Sequence, residues 1–552
     1  MTLLDWVVLF GWLVFLVSYG LWRGRDSSSV NQYLLAGKSM PWYAMGLSIM
    51  ATQASAITFI STTGQAYVDG MRFVQFYFGL PIAMVILSAT AVPIFHRANV
   101  YTAYQYLEQR FDAKTRSLVT IIFLIGRGLG AGVALAAPAI VMSVLLGWSF
   151  HVTTVVMGSL IILYTTMGGI KAVTWADVLQ MGMIMGALVV ALGVVLWKLP
   201  HDISFLGALR IAGAAGRLNA VDLHFDLNSR YNLWSGLIGS TFLMLAYFGT
   251  DQSQVQRYLT GKSIGQSRLG LLLNAMAKVP VQFFILFIGA MVFVFFVFER
   301  PPLLFHPVEM KRLEQTAEYP ALQNRYQAAL EERQAAARKV QDGGAAGAFR
   351  VAQDKINEIR KDAAKLTHES DTNYIFLSFV TRYLPSGLVG LILGVIFSAA
   401  MSASSGEINS LATVTMVDVY QRHFHKGATD RHYLFASRVA TVFWGAYAIA
   451  FANLAQGFGA LIELVNQVGS LFYGSMLGVF VVAFFMRRAG GTAAFWGVLT
   501  GQAVVFAVAR FSAIAFLWYN LIGCLVVVGV AWAISVAAPR SANPGGSLPD
   551  PA

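Results

Sequence analysis

About thirteen apolar runs, each close to the length that crosses a bilayer, occupy most of this 552-residue sequence. A spanning helix needs about 20 apolar residues to cross ~30 Å of hydrocarbon. The runs fall near 5-22, 41-68, 73-95, 117-147, 150-167, 176-197, 233-250, 269-298, 386-418, 432-455, 457-486, 490-510 and 513-536. With 57% hydrophobic and 12% charged residues, a water-soluble fold could not hide so much apolar surface. The sequence therefore predicts an all-α polytopic membrane protein whose solvent is the lipid bilayer. The formal net charge of +12 does not indicate nucleic acid, because the basic residues are spread over short loops instead of one groove. The single cysteine, Cys524, excludes an internal disulfide or a thiolate metal cluster. With no HExxH, nucleophile elbow or Walker motif in a usable context, an enzyme is not expected.

The loops set a direction. Arg23, Arg25 and Lys38, then Arg97, Arg110, Lys114 and Arg116, Lys171, and Arg257, Lys262 and Arg268 fall on alternate loops. Arg422, Lys426 and Arg431, Arg487 and Arg488, and Arg540 continue the series. The positive-inside rule makes that side cytoplasmic, with the N-terminus outside and the C-terminus inside a bacterial inner membrane. The first run has no basic residue before it and Arg23 and Arg25 after it, which reads as an anchor and not a cleaved leader.

The same register puts 299-372 outside. Apolar residues at Leu322, Tyr326, Ala329 and Ala336, then Phe349, Ala352, Ile356, Ile359, Ala363 and Leu366, recur at helical spacing around Gly343-Gly344 and Gly347. That pattern predicts an antiparallel helical hairpin, either a solvated spacer or a docking module for a partner. The remaining divisions are 1-40 (peripheral first helix and loop), 41-200 (first five-helix unit), 201-232 (outer loop), 233-298 and 373-488 (second unit), 489-538 (two peripheral helices) and 539-552 (Pro/Gly-rich disordered tail).

Inside the membrane, the informative residues are those that lipid would reject. Ala51-Thr52-Gln53-Ala54-Ser55 interrupts the second run, and a helix broken there exposes carbonyls that lipid tolerates only around a cavity or an ion. In the ninth run, Ser398 to Glu407 is rich in small residues and hydroxyls, which permit close helix approach and offer hard oxygen ligands. The pairing of these two interrupted spans, in five-helix units of opposite orientation, is what an inverted-repeat carrier requires.

Several stretches resemble the sodium/solute symporters, the family of the sodium/glucose, sodium/proline, sodium/sialic acid and sodium/iodide carriers. They are Ala36 to Trp42, Tyr164 to Ile170 leading to Trp175 to Gln180, Asp251 to Arg257, and Asn409 to Thr415. The resemblance implies the leucine-transporter fold of five plus five helices and alternating access. It also implies sodium-coupled symport of a small polar organic solute. The open alternatives are a solute sensor on a symporter-like bundle and a proton-coupled symporter.

The resemblance further implies a sodium ion held by carbonyls matching Ala51, Ala54 and Ala399 and by the Ser402 hydroxyl, with Ala403 where a second hydroxyl is expected. Glu407, one turn beyond Ala403, is expected to replace that ligand, titrate as a proton site, or be paired by a neighbouring helix. Some relatives add a second sodium at residues matching Asp177 and Ser405, with Gly406 where a further serine stands; the rival role for Asp177 is a helix cap. Solute contacts are expected at Gln53, Ser55, Thr58, Tyr77, Tyr247, Asn466 and Gln467. The arginine that grips a carboxylate in the sialic acid carriers matches Gly130 here, and Arg127 lies one turn away. An intramembrane arginine points to an anionic solute, or to a pair with Glu407 or Asp177.

Overall fold

The structure, a computed structural model, describes residues 1–24, 32, 35–53, 56–166, 170–367, 371–454 and 461–537. A first helix, α1 (Leu3–Gly24), is followed by α2 (Trp42–Gln53) and α3 (Ala56–Asp69), whose axes differ by 53°. A 3-10 turn (Met71–Tyr77), α4 (Leu80–Ala89) and α5 (Ala91–Ala98) make the next crossing, and α6 (Ala103–Arg110) is a short connector. Then come α7 (Ala113–Leu146), α8 (Phe150–Thr165), α9 (Ile170–Trp197) and the short α10 (Phe205–Ala214). The second half opens with α11 (Ser240–Thr250), α12 (Gln252–Leu259) and α13 (Ile264–Phe298). The insert holds α14 (Pro307–Leu313), α15 (Tyr319–Gln341) and α16 (Gly347–Thr367), with α17 (Ile375–Tyr383) after it. The last crossings are α18 (Leu388–Val414), α19 (Asp430–Leu454), α20 (Leu461–Phe485), α21 (Gly491–Phe511) and α22 (Leu517–Ala537).

Among the described residues, each of the thirteen apolar runs is helical over most of its length, ten helices satisfy the length of a span, and the bent α2/α3 pair makes an eleventh. The other two runs form the shorter apolar helices Phe150–Leu163 and Ser235–Thr250. Ten crossings fall into two units of five: α2/α3, α4/α5, α7, α8 and α9, then α11/α12, α13, α18, α19 and α20. An odd number of crossings per unit gives the two units opposite orientation.

One expectation needs correction. The Ser-rich span is not interrupted: α18 runs unbroken through Ser398 to Glu407. Its hydroxyls are short enough to sit within a helix, and no Gly or Pro lies between Phe397 and Ser405 to stop it. The interruption of the second unit lies instead at Asp251, which is extended (φ −78°, ψ 119°) between α11 and α12. Each unit therefore opens with a broken helix.

Small residues set the spacing of α13 against the first broken span. A Cβ on Gly46 would stand 2.9 Å from the Gly270 carbonyl, and one on Gly289 would stand 2.3 Å from the Thr63 carbonyl. These contacts fix α13 alongside α2 and α3 in one register. On the scaffold side, α7 lies against α18, α19 and α20, and α1 packs on α9 and α18.

The insert forms the expected hairpin, turned at Gly343 (φ +90°). Leu322, Tyr326, Ala329, Ile356, Ile359 and Ala363 build its core, while Leu366 is exposed and Ala336 only half-buried. Arg333, fully buried, donates to the Phe296 carbonyl at 2.6 Å and to Gln353 at 2.9 Å. Arg350 donates to the Ala214 carbonyl, Arg210 to the Gln341 carbonyl, and Arg338 pairs with Asp202. The hairpin is thereby fixed to the ends of α10 and α13.

Candidate functional site

Two clusters of buried charge lie between the broken helices and the scaffold. The first forms around Asp177 of α9. Ser48 of α2 donates to its Oδ2 at 2.6 Å, Arg257 Nη1 of α12 donates to the same oxygen at 2.8 Å, and Ser402 of α18 donates to Oδ1 at 2.8 Å. Asp177 sits well inside its helix and is no cap. Burying a carboxylate this deeply requires such full pairing. Asp177 is thus bonded to Ser402, a residue expected at the other sodium position, and no hydrogen bond joins Asp177 to Ser405 among the described residues. Arg257 reaches Asp177 past Gly406, where a Cβ would stand 3.0 Å from Nη2. Arg257 and Arg116, expected among the loop charges, are both buried, Arg257 here and Arg116 against Asp418 and Glu108.

Ala51 and Ala399 are buried on α2 and α18. Ala54 and Ser55 lie outside the described residues. The break itself is fastened by Thr58, whose hydroxyl donates to the Gln53 carbonyl at 2.9 Å. Thr58 thus satisfies a carbonyl released at the end of α2 and does not line the cavity, contrary to its expected role as a solute contact.

The second cluster centres on Arg127 of α7, 5% exposed. Its Nη2 donates to Glu407 Oε1 at 3.0 Å and to Ser253 at 2.9 Å. Its Nη1 stands 3.4 Å from the Tyr473 hydroxyl and 3.5 Å from Asp251 Oδ2, and its Nε has no hydrogen-bond partner among the described residues. Asp251 is held by Tyr473 at 2.9 Å and by the amide and hydroxyl of Ser253. The guanidinium lies beside Gly130, its Nη1 4.0 Å from where a Cβ would be. Glu407 is therefore a partner of Arg127. Its five-residue offset from Ser402 turns it toward α7, away from Asp177.

Against the second cluster lies a cavity of about 70 Å³, room for several waters. Gln53, Tyr77, Arg127, Tyr247, Glu407 and Asn466 line it, with Phe76, Met244 and Tyr473 among the apolar and aromatic wall residues. Gln53 Oε1 has no hydrogen-bond partner among the described residues, and Tyr247 places its ring 5.7 Å from the Arg127 guanidinium. Gln467, one residue past Asn466 and so turned about 100° around α20, is not among the lining residues. Asp251, Ser253 and Tyr473 were not anticipated as site residues. The polar run Asp251-Gln252-Ser253 at the end of an apolar stretch was the available signal for the first two.

Comparison with known proteins places these features in a family. The model of the sodium:solute symporter family matches residues 33–312 and 352–501, leaving out all of α15. Relatives include the sodium-coupled monocarboxylate transporter 1 of Homo sapiens, 27% identical over 91% of this chain and 72% of its own length. The sodium/sialic acid symporter NanT of Aliivibrio fischeri is 26% identical over 98% of this chain and 94% of its own. A solved Na+-coupled sialic acid symporter, substrate-bound and outward-open, superposes with a TM-score of 0.75 at 23% identity, covering 98% of both chains. Mhp1, a nucleobase-cation-symport-1 transporter, gives a TM-score of 0.52 at 12% identity, covering 92% of this chain and 95% of its own. The fold is the leucine-transporter type.

Proposed function

The chain belongs to the sodium:solute symporter family, and we propose that its central cavity carries a small organic anion together with one sodium ion. It is an integral membrane carrier that couples solute movement to sodium, and not an enzyme. The observation that carries the anionic reading is the unpaired, buried Nε–H of Arg127 on the cavity wall, beside an Nη1 whose contacts are long. A solute carboxylate received at this N–H gains a charge-assisted hydrogen bond from the one nitrogen of the guanidinium that has no partner among the described residues. Relatives named for sialic acid and for monocarboxylates support the class.

The sodium sits at the end of α2, on carbonyls of Ala51 and Ala54 with Ala399 and the Ser402 hydroxyl. Ser402 turns from Asp177 to the ion as the ion arrives. Asp177 and Ser405 do not form a second sodium site in this reading, because Arg257 already neutralises Asp177 at 2.8 Å. The charge balance agrees: Arg127 with Asp251 and Glu407 carries one net negative charge, so an anion enters that neighbourhood only with a cation. The insert, which lends Ala337, Val340 and Phe349 to the main core and whose Arg333 and Arg350 bind carbonyls outside it, acts as a brace on the outer end and not as a docking platform. The positive-inside pattern of the loops supports an N-terminus outside and a C-terminus in the cytoplasm of a bacterial inner membrane.

Counterflow in proteoliposomes tests this. Carboxylate-bearing solutes should exchange only with sodium present, and Arg127→Gln should abolish the preference for carboxylates over their amides. Binding without counterflow would make the protein a sensor, and unchanged selectivity in Arg127→Gln would remove the arginine from recognition.

A further inference from the structure

Another buried cation remains outside both clusters. Lys278 of α13 is 0% exposed, and its Nζ has no hydrogen-bond partner among the described residues. One turn to either side on the same face stand Asn274 and Gln282, also fully buried. Asn274 Oδ1 and both amide atoms of Gln282 have no hydrogen-bond partner among the described residues. Buried polar atoms left over by the protein are met by water, so this face of α13 has the chemistry of a hydrated lane with an amine at its middle.

What could balance that amine is limited by its neighbours. The Tyr77 ring lies over Nζ, with its centroid 5.3 Å away, and Tyr77 rather than Lys278 lines the central cavity. A solute in the cavity is screened from Lys278 by that ring. Among the elements packed on α13, α4 has no ionisable group, α2 has only Tyr43 in its first turn, and α3 only Tyr67 and Asp69 at its far end. Asp177 of α9 is bound to Arg257 of α12, and His96 of α5 to Ser267. Arg72 of the 3-10 turn is exposed, and Arg333 of α15 and Tyr383 of α17 meet α13 at its outer end, at Phe296 and Phe295. No carboxylate compensates the ammonium among the described residues, and an uncompensated charge at this depth is costly.

The helix that carries the amine also borders the proposed sodium position. Ala277 and Val281, neighbours of Lys278 on α13, pack against the small cluster of Met50, Ala51 and Met181 at the end of α2. We infer that Lys278 is a proton-carrying site in competition with sodium, so that sodium binding at the end of α2 expels a proton from Lys278 into the hydrated lane. The ammonium gives one proton to a lane water and becomes a neutral amine; when sodium leaves, the amine takes a proton back. Opened to opposite sides in turn, the exchange returns one proton for each sodium carried. This rests on the sodium reading above and adds a proton-counterflow activity to it.

The test needs no solute. Purified full-length protein in detergent and weak buffer is titrated with sodium chloride, with choline chloride as control, while a pH dye reports protons and thermal stabilisation reports sodium binding. The expected result is release approaching about one proton per protein, with sodium affinity weakening about tenfold from about pH 8 to about pH 6. Lys278→Met should bind sodium with neither effect, and Lys278→Arg, permanently charged, should bind it weakly at every pH. Sodium binding by the native protein without proton release and without pH dependence overturns the inference, even if the variants fail to fold. Release that persists in Lys278→Met overturns it as well, by assigning the proton to a carboxylate. Absence of sodium binding at any pH would instead remove the sodium reading beneath it.

Discussion

Arg127→Gln should destabilise the protein severely, and adding Glu407→Gln to it should restore part of the loss. Glu407 has one hydrogen-bond partner for Oε1, the Arg127 guanidinium at 3.0 Å, and none for Oε2 among the described residues. At that separation the attraction is about 5.5 kcal/mol for an effective dielectric of about 20. Removing the arginine leaves a buried carboxylate alone, which costs about 3–5 kcal/mol. Asp251 suffers less, because Tyr473 and the amide and hydroxyl of Ser253 still donate to it. Glu407→Gln alone leaves Arg127 with Ser253 at 2.9 Å and Asp251 at 3.5 Å, so its cost should be about 1–2 kcal/mol. The double variant no longer orphans a charge and should recover about 2 kcal/mol relative to Arg127→Gln. Thermal unfolding in detergent at one fixed sodium concentration ranks the four proteins. A double variant that unfolds as early as Arg127→Gln, or earlier, would refute the argument, since it would show that the lost partner of Glu407 is not the origin of the damage.

Other features give further expectations. Gly289→Ala would place a Cβ 2.3 Å from the Thr63 carbonyl, and the forced separation of α13 from α3 should cost about 1–3 kcal/mol in thermal unfolding. Arg333→Met should leave the Phe296 carbonyl without its 2.6 Å donor, loosening the hairpin by about 1–3 kcal/mol and speeding proteolysis at Gly343-Gly344, with unchanged cleavage speaking against the brace. Burial lowers the His306 imidazole from 6.5 to about 4, against the opposing pull of Asp371, so it stays neutral when folded while the unfolded chain takes up a proton below about pH 6.5. Stability of the insert should therefore fall as pH drops through that window, by about 2 kcal/mol near pH 5, and hydrogen exchange across 299–372 in native protein and His306→Gln should show the pH effect only in the former.

The spans are legible because a run of apolar residues long enough for a bilayer has little other use in a protein, and the hairpin because its apolar spacing changes at a pair of glycines. The continuity of α18 is not, since a run of Ser and Ala looks unlike an apolar helix, yet such residues weaken a helix only slightly. The true second break is hidden by position: Asp251 stands at the edge of its apolar run, where a polar residue is ordinary. Buried pairs are hidden for a different reason. Arg257 and Asp177 are 80 residues apart, and Arg116 and Asp418 302 apart, so nothing local distinguishes these arginines from loop charges. Arg127 is conspicuous because its own run is apolar, and Glu407 is one of the partners anticipated for it.

The two clusters are joined by one rigid element. Ser402 and Glu407 lie five residues apart on α18, about 7.5 Å along the helix axis, with Ser402 bonded to Asp177 and Glu407 to Arg127. Arg257, bound to Asp177, fills the space beside Gly406 between them. A sodium that takes the Ser402 hydroxyl removes one of the three donors on Asp177 and leaves that carboxylate more dependent on Arg257. An anion that takes the open edge of Arg127 reduces the hold of the arginine on Glu407. Both adjustments load the same stretch of α18 from opposite ends, and sodium adds positive charge where the solute adds negative charge. With the proposed sites, coupling needs no long-range pathway, because both ligands alter the bonds that hold one and the same helix segment.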